Sequence, residues 1–307
     1  MNEKSIFEQE DSFSDLVKKA KRKSIKRNIV VSVIVTISTL ILLWALLYIG
    51  QYFMYERMYK DTEETSDYYH MYGANVYPGG STYDYFIVAG RSNASAYKEV
   101  NGHLINWNSN STFHTILGTR ATLNNSSFIE INGKPYKNDY KVVKFHLPKM
   151  EAIHNDIDYL KSLPGFYSVE VALSFREELT LSEVNQTFPT SSWIWLLQDH
   201  YYEEAAESQA SLAFKQDFSE IDGDRALGFP VESNKPFTEG AEQYITFLQQ
   251  KSSKLVGAKE VLKSLQQKAP NQIYVAGIIL TGTVDEVLPY TTKAPVRVVR
   301  TGVIIPY

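Results

Sequence analysis

Residues 29–49 read IVVSVIVTISTLILLWALLYI, an apolar run without a charged side chain. At 1.5 Å rise per residue, a helix of about 20 such residues crosses the hydrocarbon core of a bilayer. Ser32, Thr36, Ser38 and Thr39 do not interrupt it, because in a helix their hydroxyls bond back to carbonyls of the preceding turn. The run is apolar on every face, unlike the amphipathic helix of a soluble protein. Before it stand Lys18, Lys19, Lys21, Arg22, Lys23, Lys26 and Arg27, seven cations in ten residues. At its far end come Tyr48, Tyr52, Phe53 and Tyr55, then Asp61, Glu63 and Glu64. Basic residues favour the cytoplasmic side and aromatic rings the headgroup level. The expectation is a single-pass protein of the cell membrane, N-terminus in the cytoplasm and C-terminal part outside. A cleaved signal peptide would have a shorter apolar core and a small-residue cleavage site; here Tyr, Phe and Met follow, so the segment reads as an uncleaved anchor.

Outward from this run, the chain divides into a basic cytoplasmic segment (1–28), a transmembrane helix (29–49), a juxtamembrane and β-rich region (50–149) and an α+β domain (150–307). The formal charge of −4 over 307 residues hides a split: residues 1–28 carry eight Lys or Arg against five acids, and the rest carry 23 against 30. With no dominant basic field beyond the membrane, a nucleic-acid partner is not expected there. The chain has no cysteine, so its large C-terminal part relies on its core rather than on disulfides.

Local patterns sketch the elements. Phe13, Leu16, Val17 and Ala20 recur at helical spacing and run into the basic cluster. Residues 56–82, rich in Tyr and acids, read as a connection that begins by continuing the spanning helix and breaks at Pro78, Gly79 and Gly80. Strands are expected at 83–89, 114–123, 141–147, 167–175, 192–197, 273–280 and 296–305, with a hairpin turning at Asn132-Gly133. A helix is expected over 150–163. Residues 198–237 read as an extended excursion, and 238–267 as a long helical stretch broken near Gly257. Thr180 to Glu183 and Thr283 to Glu286 are capping boxes, each opening a short helix that stops at Pro189 and Pro289. Both follow a strand, so VALSFREELTLSEV and VAGIILTGTVDEVL read as two β-loop-α units in an α+β fold.

Catalytic signatures are missing. No thiol is present, the six histidines form no metal-ligand spacing, and there is neither a nucleophile elbow nor a phosphate-cradling loop. No catalytic residue, cofactor or metal is assigned. His154 with Asp158 reads as a surface contact, Asp222-Gly223-Asp224 as a turn rather than a calcium loop, and Trp193 with Trp195 as core packing.

The series Phe13, Leu16, Val17, Lys18, Lys19, Ala20, Lys21, Arg22, Lys23, Ser24, Arg27, Asn28, running straight into the span, resembles the N-terminal region of the sigma factor regulator family. VALSF (171–175), LTLSEV (179–184), Ile194-Trp195 and IILTGT (278–283) resemble that family's C-terminal domain. The resemblance implies a bitopic membrane protein of a family in which some members restrain an extracytoplasmic-function sigma factor. With catalytic signatures missing, the expectation is a non-enzymatic regulator whose outer domain senses an envelope condition and which modulates such a factor, directly or with a co-regulator. Phe13, Leu16, Val17, Lys18, Lys19, Lys21, Arg22, Lys23 and Arg27 would then contact that partner. Only about 28 residues would face the cytoplasm. A stable interface commonly takes about 800 Å² per partner, so a segment this short would have to order on binding or act with a co-regulator. The alternative is an anchored binding module with no inward signalling.

Overall fold

The computed structural model describes residues 4–124, 126–131, 134–148, 150, 154–198, 219–232 and 234–306, with side chains from residue 13 onward. The helix that carries the apolar run is far longer than a bilayer crossing requires. Helix α1 (Lys4–Met71) has 68 residues, a rod of about 100 Å. Between Gln51 and Met71 the chain contains neither Gly nor Pro, so nothing stops the helix after the membrane. Gly73, at φ +97°, ends it in the left-handed conformation common just past helix C-termini.

The expected break at Pro78, Gly79 and Gly80 is not a loop. It lies inside β1 (Val76–Tyr85), where pairing with β2 (Ala89–Val100) slips between Pro78 and Ser81. A bulge on an edge strand accommodates a Pro that has no N–H to donate. β3 (His103–Thr115) and β4 (Arg120–Asn124) complete an antiparallel meander in the order β1-β2-β3-β4. The expected strands at 83–89 and 114–123 each straddle a turn of this meander. Apolar, β-branched residues occupy the turn positions, so composition suggested strand where the chain reverses.

β5 (Phe128–Ile131), β6 (Lys134–Lys137) and β7 (Tyr140–Lys141) form a small sheet. Ile131 pairs with Lys134, as the hairpin reading requires; the turn itself, Asn132-Gly133, lies outside the described residues. The strand expected at 141–147 is split between β7 and β8 (Lys144–His146). The helix expected over 150–163 is only α2 (Ile157–Ser162). Residues 151–153 lie outside the described residues, and His154 precedes the helix, so the His154–Asp158 helical pair does not form. The Asp156 N–H is taken by the Val299 carbonyl, which ties the chain to the sheet at that point.

The second half follows the sequence more closely. β9 (Ser168–Thr180), α3 (Leu181–Thr187) and β10 (Ser191–Trp195) come first. Residues 199–218 of the expected excursion lie outside the described residues. β11 (Glu220–Asp222), which pairs with β8, and β12 (Gly228–Pro230) follow. α4 (Phe237–Lys251) and α5 (Ala258–Gln266) are separated by the turn at 252–257, and Gly257, at φ +81°, stands immediately before α5. β13 (Tyr274–Thr283), α6 (Val284–Thr291) and β14 (Val296–Ile305) close the chain. α6 runs through Pro289 rather than stopping there, its end tightened by the Thr291 hydroxyl on the Leu288 carbonyl at 2.7 Å.

These strands build an antiparallel sheet in the order β12-β10-β13-β9-β14. The two β-loop-α units lie side by side, with Thr283 opposite Ser168 and Tyr274 opposite Thr180. The capped helices therefore start at opposite ends of the strand pair. The core covers this sheet, with Phe145 stacked on Trp195 at 4.7 Å and on Trp193 at 5.9 Å. The tryptophans are core, as expected.

Candidate partner-binding helix and its seat in the globular domain

All nine candidate contact residues stand on α1. At 3.6 residues per turn, Phe13, Leu16 and Val17 share one face with Ala20, and Arg27 continues that face. Lys18, Lys19, Lys21, Arg22 and Lys23 fan around the rest of the circumference. Phe13, Leu16 and Val17 are 70%, 61% and 50% exposed, an apolar stripe that no described residue covers. The arrangement suits an amphipathic helix that meets a groove or an anionic surface.

The other end of α1 is built into the globular part. Met54, Met58, Thr62 and Tyr69 are buried at spacings of about one or two turns, against the β1–β4 sheet. Burial pushes the Tyr69 phenol up, and its oxygen accepts from Asn108 Nδ2 at 2.7 Å. Gly90 lies under Met58: a Cβ there would fall 2.6 Å from the sulfur. Asp61 reaches His114 Nε2 on β3 at 3.3 Å and Arg120 Nε on β4 at 3.0 Å. Desolvation holds His114 below the usual imidazole range and lifts Asp61 above the usual carboxylate range. Lys251 of α4 bridges Glu63 at 2.6 Å and Asp67 at 2.8 Å, and the His70 ring stacks on Phe247.

Met71 and Ala74 then enter the main core. The Met71 carbonyl accepts from Tyr244 Oη, the Gly73 N–H donates to Ala226 O and the Ala74 N–H to Gly223 O. The Asp222-Gly223-Asp224 turn is thus part of the clamp. Asp224 accepts from Trp107 Nε1 at 2.7 Å, from Lys137 Nζ at 2.9 Å and, through its carbonyl, from Tyr68 Oη at 3.0 Å. Its carboxylate oxygens serve protein donors. Among the described residues, no cluster of His, Asp or Glu has the geometry of a metal site.

A buried ion pair joins the β1–β4 meander to the five-stranded sheet. Lys98 of β2 donates to both carboxylate oxygens of Glu170 on β9, at 2.8 and 3.0 Å, and neither residue is exposed. The Trp107 ring lies 4.2 Å from the ammonium, and Glu170 also accepts from Asn75 Nδ2 and the Val303 N–H.

Sequence reasoning missed this seat. Tyr, Thr and acidic residues crowd the segment, and the signal that could have shown it was the Met54, Met58, Thr62 spacing of four.

Residues 160–303 match the model of the sigma factor regulator C-terminal family. This likeness to the sigma factor regulator family covers 144 of the 307 residues. The match begins in α2, ends in β14 and encloses the five-stranded sheet with its capped helices. No curated protein and no solved structure matches the chain. A sigma factor regulator domain is regulatory rather than enzymatic. Among the described residues, the chain also has one helix long and apolar enough to cross a membrane, and its most apolar window packs against no other described residue.

Proposed function

We propose that this chain is a single-pass membrane regulator that passes the state of its globular domain along α1 to a sigma factor or a membrane co-regulator. The basic flank of the span supports an inside N-terminus, which leaves the globular domain outside. The contact surface is the stripe of Phe13, Leu16 and Val17 with Lys18, Lys19, Lys21, Arg22, Lys23 and Arg27 around it. The observation that carries the reading is the unbroken helix, from that stripe to the core of a sigma factor regulator domain. A change in packing around Met71 or Asp61 moves a rigid rod, and a rod transmits tilt, rotation or a change of pairing through the bilayer.

The test is a reporter of sigma-dependent transcription in cells carrying the full chain. Leu16→Glu with Val17→Glu should abolish regulation while the membrane level of the protein stays constant. An anchored binding module without inward signalling would leave the reporter unmoved by these changes, and equally by replacing residues 1–27 with an unrelated basic segment.

A further inference from the structure

The two turns nearest the membrane carry side chains that do not belong in water. The β1–β2 turn presents Phe86, Ile87 and Val88 at 56%, 71% and 53% exposure, and the β3–β4 turn presents Leu117 at 90%. Turns of a soluble sheet carry polar residues, and a run of exposed apolar ones is a fault unless something covers it.

Their position says what covers them. Gln51 Nε2 donates to the Ile87 carbonyl at 2.9 Å, and the Ile116 N–H donates to Val88 O, so both turns are tied together and to the helix two residues past the span. Gly50 permits the approach: a Cβ there would lie 2.9 Å from Ile116 Cβ. A glycine inside a helix costs about 1 kcal/mol relative to alanine, and this close contact is its structural reason. The exposed rings of Tyr48, Tyr52 and Phe53 stand within three residues of Gly50. Higher up, Arg57 donates to the Thr115 carbonyl at 2.9 Å and Arg91 pairs with Asp84. Arg57 is seven residues beyond Gly50, or about 10 Å along the helix, a height suited to phosphate headgroups.

We infer that the two turns, residues 85–88 and 116–118, form an apolar collar around α1 that is seated in the bilayer leaflet on the globular side, with lipid as its partner. The domain is then held at a fixed height and angle on the membrane rather than swinging on its helix.

The chain has no cysteine, so single cysteines can carry an environment-sensitive fluorophore. Ile87→Cys, Leu117→Cys, Val256→Cys and Leu42→Cys are labelled in the full chain and reconstituted into phospholipid nanodiscs. Val256 is 91% exposed beside Gly257, which packs near Met71, about 30 Å further along the helix. Positions 87 and 117 should shift to the blue, be quenched by a lipid with a shallow nitroxide and be shielded from iodide; position 256 should show the reverse. Adding Gly50→Val, which drives the Ile116 turn off the helix, should raise iodide quenching at 117. Iodide quenching at 87 and 117 equal to that at 256 overturns the inference. So does shielding from iodide without quenching by nitroxide lipid, which would mean a protein cover such as a second copy of the chain. Position 42 separates failures: if it is quenched by nitroxide lipid, only the collar has failed; if not, the membrane span has failed too.

Discussion

Lys98 and Glu170 show what a single buried charge does in this molecule. Each satisfies the other, so removing one leaves an unpaired ion in the core, a loss of about 3–5 kcal/mol. Lys98→Met should therefore lower the urea midpoint of the full chain in detergent micelles strongly. Adding Glu170→Gln, which removes the stranded charge and keeps an acceptor, should recover part of it; no recovery would mean that the pair is not coupled. His114 gives a pH dependence with a definite sign. Burial holds its folded pKa below the usual value, so its contribution is present above about pH 6.5 and is lost as the pH falls and the unfolded chain takes the proton first. Asp61, raised by burial, works in the opposite direction at lower pH, where the folded state takes the proton first. Between about pH 7 and 5 the histidine governs, and the unfolding midpoint should fall. His114→Gln should flatten that slope. Neither pairing was visible in the sequence, because each joins residues far apart in the chain whose types occur throughout it.

The elements that could be read in advance are those whose cause is local. In both capping boxes the Thr hydroxyl accepts from the Glu N–H at 3.3 Å while the Glu carboxylate accepts from the Thr N–H at 2.8 Å. These bonds hold Glu183 and Glu286 below the usual carboxylate range, so the support they lend is lost only in acid. Thr180→Ala and Thr283→Ala should each cost about 1 kcal/mol. Because the caps stand at opposite ends of a strand pair, the two losses should add within experimental error, as read from urea midpoints of the single and double variants. A marked departure from additivity would show that the two units are energetically linked through the sheet. The strand expectations at 83–89 and 114–123 failed for the converse reason. Composition reports a preference for an apolar setting, and at those turns the setting is supplied by lipid on the reading above rather than by a neighbouring strand.

At the scale of the molecule, α1 belongs as much to the globular part as to the membrane. Met54, Met58 and Met71 are fully buried against it, and each such side chain contributes about 1.5–3 kcal/mol. Together that is comparable with the whole stability of a domain, about 5–15 kcal/mol. A fragment of residues 51–307 should unfold cooperatively in urea, whereas 73–307, lacking the helix, should have little cooperative transition. Equal midpoints for the two would show that the helix merely lies beside the domain.

The membrane span, the basic flank, the capped β-loop-α units and the break at Gly257 were determined by the sequence alone, because each is set within one or two turns of chain. The seat of α1 against Tyr244 and Ala226, the Lys98–Glu170 pair and the gathering of two apolar turns around Gly50 were decided only by the tertiary structure. They depend on which distant segments come into contact; the Met54, Met58, Thr62 spacing marks a face of α1 but not the segments that cover it.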